Sequence, residues 1–235
     1  MRTFNKKTAL ITGSTSGIGL AIAKEMASTV ANLILVYRNE SKYNSTIEQL
    51  SSCGVKVSGI KCDLSKDEEV SSLLKELVNV DVDILVNNAG VFPIKNILES
   101  TEGDYVECFN VNIKAPFLLS NHVAKKMIKK KWGRIINIGS SSCYAGSADT
   151  GLYCSSKHAL LGLSRSLYKE LKQHNIRVYN VSPGSTQTKM GATDTRQDFA
   201  TFITPQEVAK YVCFVASFDS EGISEEIRIN RMVIR

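Results

Sequence analysis

Short apolar runs alternate with longer segments of helical spacing along nearly the whole chain. The runs are rich in Val, Ile and Leu and fall at 8–11, 33–37, 55–61, 84–86, 135–138, 178–181 and 227–229. Several lack the alternation of a half-exposed strand, which predicts about seven strands covered on both faces. Helical spacing predicts helices over 18–28, 41–51, 67–78, 102–130, 152–174 and 205–216. Ser65 ahead of Glu68 resembles a capping box, and Thr204 before Pro205, with Glu207 three residues on, is another. Strand and helix in alternation predict a parallel sheet with helices on both faces. No repeat, low-complexity tract or long linker interrupts the pattern, so residues 1–235 read as a single α/β domain.

Composition narrows the function. Of 235 residues, 43% are hydrophobic, enough for a substantial core, and 22% are charged, near the globular norm. The net charge of +6 is too mild to imply nucleic-acid binding. Basic residues cluster once, at Lys125, Lys126, Lys129, Lys130 and Lys131. That cluster reads as the solvated end of a helix, where cations are favourable, or as a docking patch for an acidic carrier or phosphorylated substrate. Cysteines at 53, 62, 108, 143, 154 and 213 show no Cys-x-x-Cys spacing and His is scarce, so neither a metal site nor a disulfide framework is expected. Residues 1–7 have no signal-peptide core, and no stretch approaches the ~20 apolar residues of a membrane span. These features predict a soluble, cytoplasmic protein with reduced thiols.

The first strand runs into Thr12-Gly13-Ser14-Thr15-Ser16-Gly17-Ile18-Gly19, and a helix follows. Glycines here let the backbone turn sharply and approach a pyrophosphate at the helix N-terminus. Asn87, Asn88, Ala89 and Gly90 close the fourth strand, Tyr153 precedes Lys157 by four residues, and Pro183-Gly184 follows the sixth strand. In this order the motifs resemble the short-chain dehydrogenase/reductase family over roughly residues 6–220. The resemblance implies a Rossmann-type doubly wound sheet, with a nicotinamide cofactor over the carboxyl ends of the strands.

The resemblance assigns cofactor contacts to Gly13, Ser14, Thr15, Ser16, Gly17, Ile18 and Gly19 in the loop, and to Asn88, Ala89 and Gly90. It adds Asp63 and Leu64 at the adenine, and Pro183, Gly184, Thr188 and the nearby alternative Thr186 at the nicotinamide. Asp63 has an overlapping role as a cap for the next helix. Asn87 is expected to brace the central sheet through backbone contacts. The second strand ends Val36-Tyr37-Arg38-Asn39, without a carboxylate for a ribose 2′-hydroxyl. Arg38 offers instead a fork of donors suited to a 2′-phosphate, so NADP(H) is favoured over NAD(H).

Carbonyl reduction needs a proton for the oxygen as well as a hydride for the carbon. Tyr153 and Lys157, at i and i+4, share a helix face. The lysine cation is expected to lower the pKa of the phenol, making Tyr153 the general acid in reduction and the base in oxidation. Lys157 is also expected on the nicotinamide ribose. Ser140, thirteen residues before the tyrosine, matches the substrate-orienting serine of the family, with Ser141 and Ser142 beside it. Asn112 matches the fourth catalytic member, expected to disturb its helix and hold water as a proton path to Lys157; otherwise it is polar filler.

The substrate is less legible. The segment after Thr188 is polar and nearly free of large apolar residues until Phe199; its Arg196 is a candidate contact for an anionic substrate. In length and motif detail the chain most resembles 3-oxoacyl-acyl-carrier-protein reductases. That implies a carrier-bound 3-oxoacyl substrate, a place in fatty-acid biosynthesis, and homodimers or homotetramers with the helices at 102–130 and 152–174 in an interface. A sugar, polyol or other small carbonyl is the alternative substrate, and a nicotinamide-sensing binding module the non-enzymatic one. The tail departs from the family: Ile227-Arg228-Ile229-Asn230 leads into Arg231 and Met232, not Asp/Asn-Gly-Gly.

Overall fold

The apolar runs lack alternation because neighbouring residues of each central strand enter different cores. A computed structural model describes residues 4–232; the outermost residues of both terminal segments, 1–3 and 233–235, lie outside that range. The elements in order are β1 (Phe4–Thr12), α1 (Gly17–Ala27), β2 (Val30–Tyr37), α2 (Glu40–Leu50), β3 (Lys56–Lys61), α3 (Asp67–Glu76) and β4 (Ile84–Asn87). There follow α4 (Glu102–Phe109), α5 (Ala115–Lys130), β5 (Gly133–Ile138), α6 (Gly151–Leu171), β6 (Ile176–Pro183), α7 (Pro205–Ser217) and β7 (Glu226–Ile229). All seven strands pair in parallel in the order β3-β2-β1-β4-β5-β6-β7.

Ala9 and Ile11 of β1, with Leu33 and Leu35 of β2, face a core shared with Ile22 and Met26 of α1 and Val208 and Val212 of α7. Leu10, Ile34 and Val36 face the opposite core, with Leu73 of α3, Leu119 and Val123 of α5 and Leu171 of α6. The strand order reverses between β1 and β4, which opens a crevice at their carboxyl ends.

Three local expectations change. The helix expected over 102–130 is broken by a π-helical turn at Asn110–Lys114 between α4 and α5. Ser65 caps no helix: Lys66 holds the N-cap position of α3 without a side-chain bond, and the Ser65 hydroxyl donates to Asp63 Oδ1 at 2.8 Å. The second box forms as expected, with Glu207 N donating to Thr204 Oγ1 at 3.3 Å and Thr204 N to Glu207 Oε2 at 2.7 Å.

The lysine cluster does end a helix, but it is divided. Lys126 bonds Val80 O and pairs with Asp81, and Lys130 pairs with Asp81 and Asp83, while Lys125 and Lys129 stay exposed. Five cysteines are buried and Cys53 is exposed, all as free thiols. Among the described residues no helix is long and apolar enough to cross a membrane, and no three His, Cys, Asp or Glu stand together as a metal site.

Candidate active site

One cleft of about 1290 Å³ at the carboxyl ends of the strands takes in both Arg38 and Tyr153. Ordinary small-molecule pockets run to ~300–1,000 Å³, so the space suits a dinucleotide beside a substrate.

The loop after β1 is shaped by its glycines. Gly13 and Gly17 have φ of +61° and +53°, the left-handed region where only glycine is unstrained. A Cβ on Gly19 would collide with the Gly13 carbonyl oxygen and the Asn88 side chain. Asn88 holds the loop from below, its Nδ2 donating to Thr12 O at 2.9 Å and Gly13 O at 3.1 Å. Thr12 Oγ1 accepts the backbone N–H of both Asn88 and Ala89 at 3.0 Å. Ser16 at the N-cap of α1 makes no side-chain capping bond. No cap therefore competes with an anion for the first-turn N–H groups, and the helix dipole favours one there. The residues present fit a pyrophosphate.

Thr15, Ser16, Gly17, Ile18, Asn88, Ala89, Gly90, Pro183, Gly184, Thr186 and Thr188 line this cleft, as do Arg38, Asp63 and Leu64. Ser14 and Gly19 stand behind the wall. Ser14 is fully buried and donates to Val36 O at 3.2 Å, so its hydroxyl is spent on the sheet. Thr186 donates to Gly184 O, whereas Thr188 Oγ1 accepts Gly191 N at 2.9 Å. Arg38 is mostly exposed, 3.8 Å from Asp63 Oδ2. Burial alone would raise the Asp63 carboxyl, but bonds from the Ser65 amide and hydroxyl, with Arg38, hold it below its ordinary value. Lys42, on α2, also lines this end of the cleft. Sequence reading missed it; a cation four residues after Arg38 was the available signal.

At the other end, α6 carries Tyr153 and Lys157, both buried, on the cleft wall. Ser140, two residues past β5, lies near enough to the Tyr153 hydroxyl to favour its ionised form, and its Oγ accepts Ser142 N at 3.1 Å. Phe92 packs edge-on to the Tyr153 ring, centroids 4.6 Å apart. Lys157 Nζ donates to Ile138 O at 2.8 Å and sits 5.7 Å from the Tyr153 ring centre. The expected pKa effect is reversed in the protein alone. Burial pushes the Tyr153 phenol up to about 12, with Ser140 pulling the other way, and burial lowers Lys157. Desolvation of each group is the dominant cause.

Asn112 lies in the π turn and is buried. Its Oδ1 accepts Val91 N at 2.9 Å, and its Nδ2 donates to Val91 O at 3.0 Å and Ser156 Oγ at 3.0 Å. It thus clamps the backbone beside Gly90, and a Cβ built on Gly90 would lie 3.4 Å from Asn112 Oδ1 and 3.9 Å from Lys157 Nζ. Asn87 also differs: its Nδ2 donates to Asn137 Oδ1 and Ser120 Oγ, so it braces the sheet through side chains rather than backbone.

The loop 190–203 closes the substrate side with two short 3-10 turns, Gly191–Thr193 and Phe199–Thr201. Arg196 forks onto Asp194, at 2.7 and 3.2 Å, and the pair holds the carboxyl at about 2. The contact expected between Arg196 and an anionic substrate therefore faces a competing carboxylate.

This fold and cleft define a nicotinamide-dependent oxidoreductase of the doubly wound class. A family model for short chain dehydrogenases matches residues 7–198, and the chain belongs to that family. It is an NAD(P)-dependent oxidoreductase acting on CH–OH and C=O groups. It is 34% identical over 233 residues to a 3-oxoacyl-acyl-carrier-protein reductase of Aquifex aeolicus, covering 94% of each chain. It is 32% identical over 189 residues to a 2-dehydro-3-deoxy-D-gluconate 5-dehydrogenase of Formosa agariphila, covering 79% of this chain and 72% of that one. Among solved structures, a metagenomic short-chain oxidoreductase in complex with NADP superposes with a TM-score of 0.85 at 29% identity, over 98% of this chain and 99% of that one.

Proposed function

We propose that this chain reduces a carbonyl with NADPH, and that a 3-oxoacyl thioester is its substrate class. The observation that carries the reading is one cleft holding Ser140, Tyr153 and Lys157 together with Arg38. When bound, the reduced cofactor supplies the hydride. Ser140 holds the carbonyl oxygen where charge develops. Tyr153, a phenol kept protonated by burial, gives its proton to that oxygen as general acid. Lys157 holds the nicotinamide ribose, and Asn112 positions the Val91 backbone at the cleft wall. Arg38, with Lys42 near it, receives the 2′-phosphate. Assembly as a homodimer or homotetramer accompanies this reading, and light scattering measures it.

A sugar-acid substrate is the second reading, favoured by the gluconate-type relative. Against it, Arg196, the one cation in 190–203, is already bonded to Asp194. The test is turnover with NADPH and with NADH on acetoacetyl thioesters, simple ketones and keto-aldonates. The thioester with NADPH is expected to give the highest kcat/KM. A higher value with keto-aldonates overturns the substrate class, and equal turnover with NADH overturns the cofactor preference.

A further inference from the structure

The segment 190–203 has little apolar anchorage. Within it only Phe202 and Ile203 are buried, both where it rejoins the fold, and the Thr186–Ile203 bridge ties down its foot. Its middle is held by polar side chains. Gln197 is central: its Nε2 donates to Asp194 Oδ2 at 3.0 Å, and its Oε1 accepts the Ser185 hydroxyl at 3.0 Å. The same oxygen accepts Arg231 Nη2 at 2.6 Å, from beyond β7. Arg231 Nη1 donates to Thr201 Oγ1 at 3.1 Å, and its guanidinium carbon lies 5.1 Å from the Phe202 ring centre. One planar cation thus joins the middle of the loop to its returning arm and stacks on its apolar foot, a geometry that suits arginine and that lysine meets only in part. The tail is itself fixed beside the cleft, because Gly184 N donates to Ile229 O at 2.8 Å.

We propose that Arg231 is a positioning residue that latches the loop 190–203 over the cleft, so that the C-terminal tail sets how tightly the carbonyl substrate is held. Gln197, which lines the cleft, transmits the latch to the wall. The departure of the tail from the family pattern becomes functional here: an arginine stands one residue past Asn230, where the resemblance implies glycine.

The proposal rests on reading this cleft as the carbonyl site, so the test has one arm independent of turnover. In the NADP-bound protein, limited trypsin digestion reads the exposed bonds after Lys189 and Arg196. Arg231→Ala, which loses the guanidinium bonds to Gln197 and Thr201, is expected to speed cleavage there at least about tenfold. Arg231→Lys is expected to fall between Ala and the parent chain. Gln197→Ala, which leaves the tail intact, is expected to match Arg231→Ala and serves if that variant folds poorly. In steady state, Arg231→Ala is expected to raise the KM of the carbonyl substrate about tenfold, with kcat and the KM for NADPH changing less than about threefold. Cleavage at the parental rate in both alanine variants overturns the latch, whatever the turnover. A kcat that falls with KM unchanged overturns it too. If no carbonyl is turned over, the reading of the site fails while the digestion still decides the latch.

Discussion

The two ends of the cleft are held by different means. At the cofactor end, bonds to the backbone from the buried side chains of Thr12 and Asn112, and from Asn88, fix the wall: Asn88 and Thr12 tie β4 to the glycine loop, and Asn112 clamps Val91. At the substrate end, half-exposed side chains bond to one another through Asp194, Arg196, Gln197 and Arg231. A wall of the first kind tolerates few residue types at fixed spacing, because each change leaves a buried polar group unpaired or a backbone strained. A wall of the second kind costs little to rebuild, since exposed charge pairs contribute at most about 1 kcal/mol each. A fold used this way keeps its cofactor and changes its substrate.

The largest test of this contrast is Tyr153→Phe. It is expected to lower kcat for carbonyl reduction by about 10²–10⁴-fold while leaving NADPH affinity nearly unchanged; undiminished turnover would remove Tyr153 from the chemistry. A phenol titration follows from the same residue. The difference in absorbance at 295 nm between parent and variant should show an ionisation near 12 in the cofactor-free protein. The sign for stability runs with it. The folded value lies above the ordinary ~10 of an unfolded tyrosine. Its stabilising contribution is therefore complete below about pH 10 and is lost as pH rises through about 12. A phenolate forming below 10 without cofactor would show that Lys157 dominates burial.

Asn112→Ala is the next largest. It removes the partner of both Val91 N–H and Val91 O inside a buried turn. Two orphaned backbone groups are expected to cost about 2–4 kcal/mol of stability, measured by urea unfolding. The cost should fall on turnover as well, since Val91 and Gly90 line the cleft. A stable Asn112→Ala with kcat reduced in isolation would restore a direct catalytic part for this residue.

The contrast also explains what the sequence disclosed. All seven strands were visible as apolar runs: the central ones because strands buried on both faces must be apolar almost throughout, and the edge strands β3 and β7, which are only partly buried, from the Val and Ile they carry. β5 was read from Ile135, two residues late on account of Gly133 and Arg134. That arginine is fully buried and bonded to Asp219 and to the carbonyls of Ala216 and Phe218, partners no local pattern announces. The glycine loop and the placement of Ser140, Tyr153 and Lys157 were legible because they rest on fixed spacings. The partners of Asn112 were not, since they are backbone atoms twenty-one residues away and a hydroxyl forty-four residues away. Arg231 was noticed only as a departure from a familiar ending; its contacts lie thirty and thirty-four residues upstream.

Arg38→Ala carries the smallest expected effect and bears most directly on the cofactor end. Arg38 is exposed, and its pairing with Asp63 at 3.8 Å is loose, so the guanidinium can turn to a 2′-phosphate at little cost. Solvent screens such a contact, and one charge-assisted bond in this setting is worth about tenfold in affinity. The variant is expected to raise the KM for NADPH about tenfold, leave that for NADH within about twofold, and keep kcat with either. Lys42 remains on the same wall, which is why the expected loss is modest, and Arg38→Ala with Lys42→Ala should exceed it. Equal losses for NADPH and NADH would place Arg38 on the adenine or the ribose they share, and the cofactor preference would then need another source.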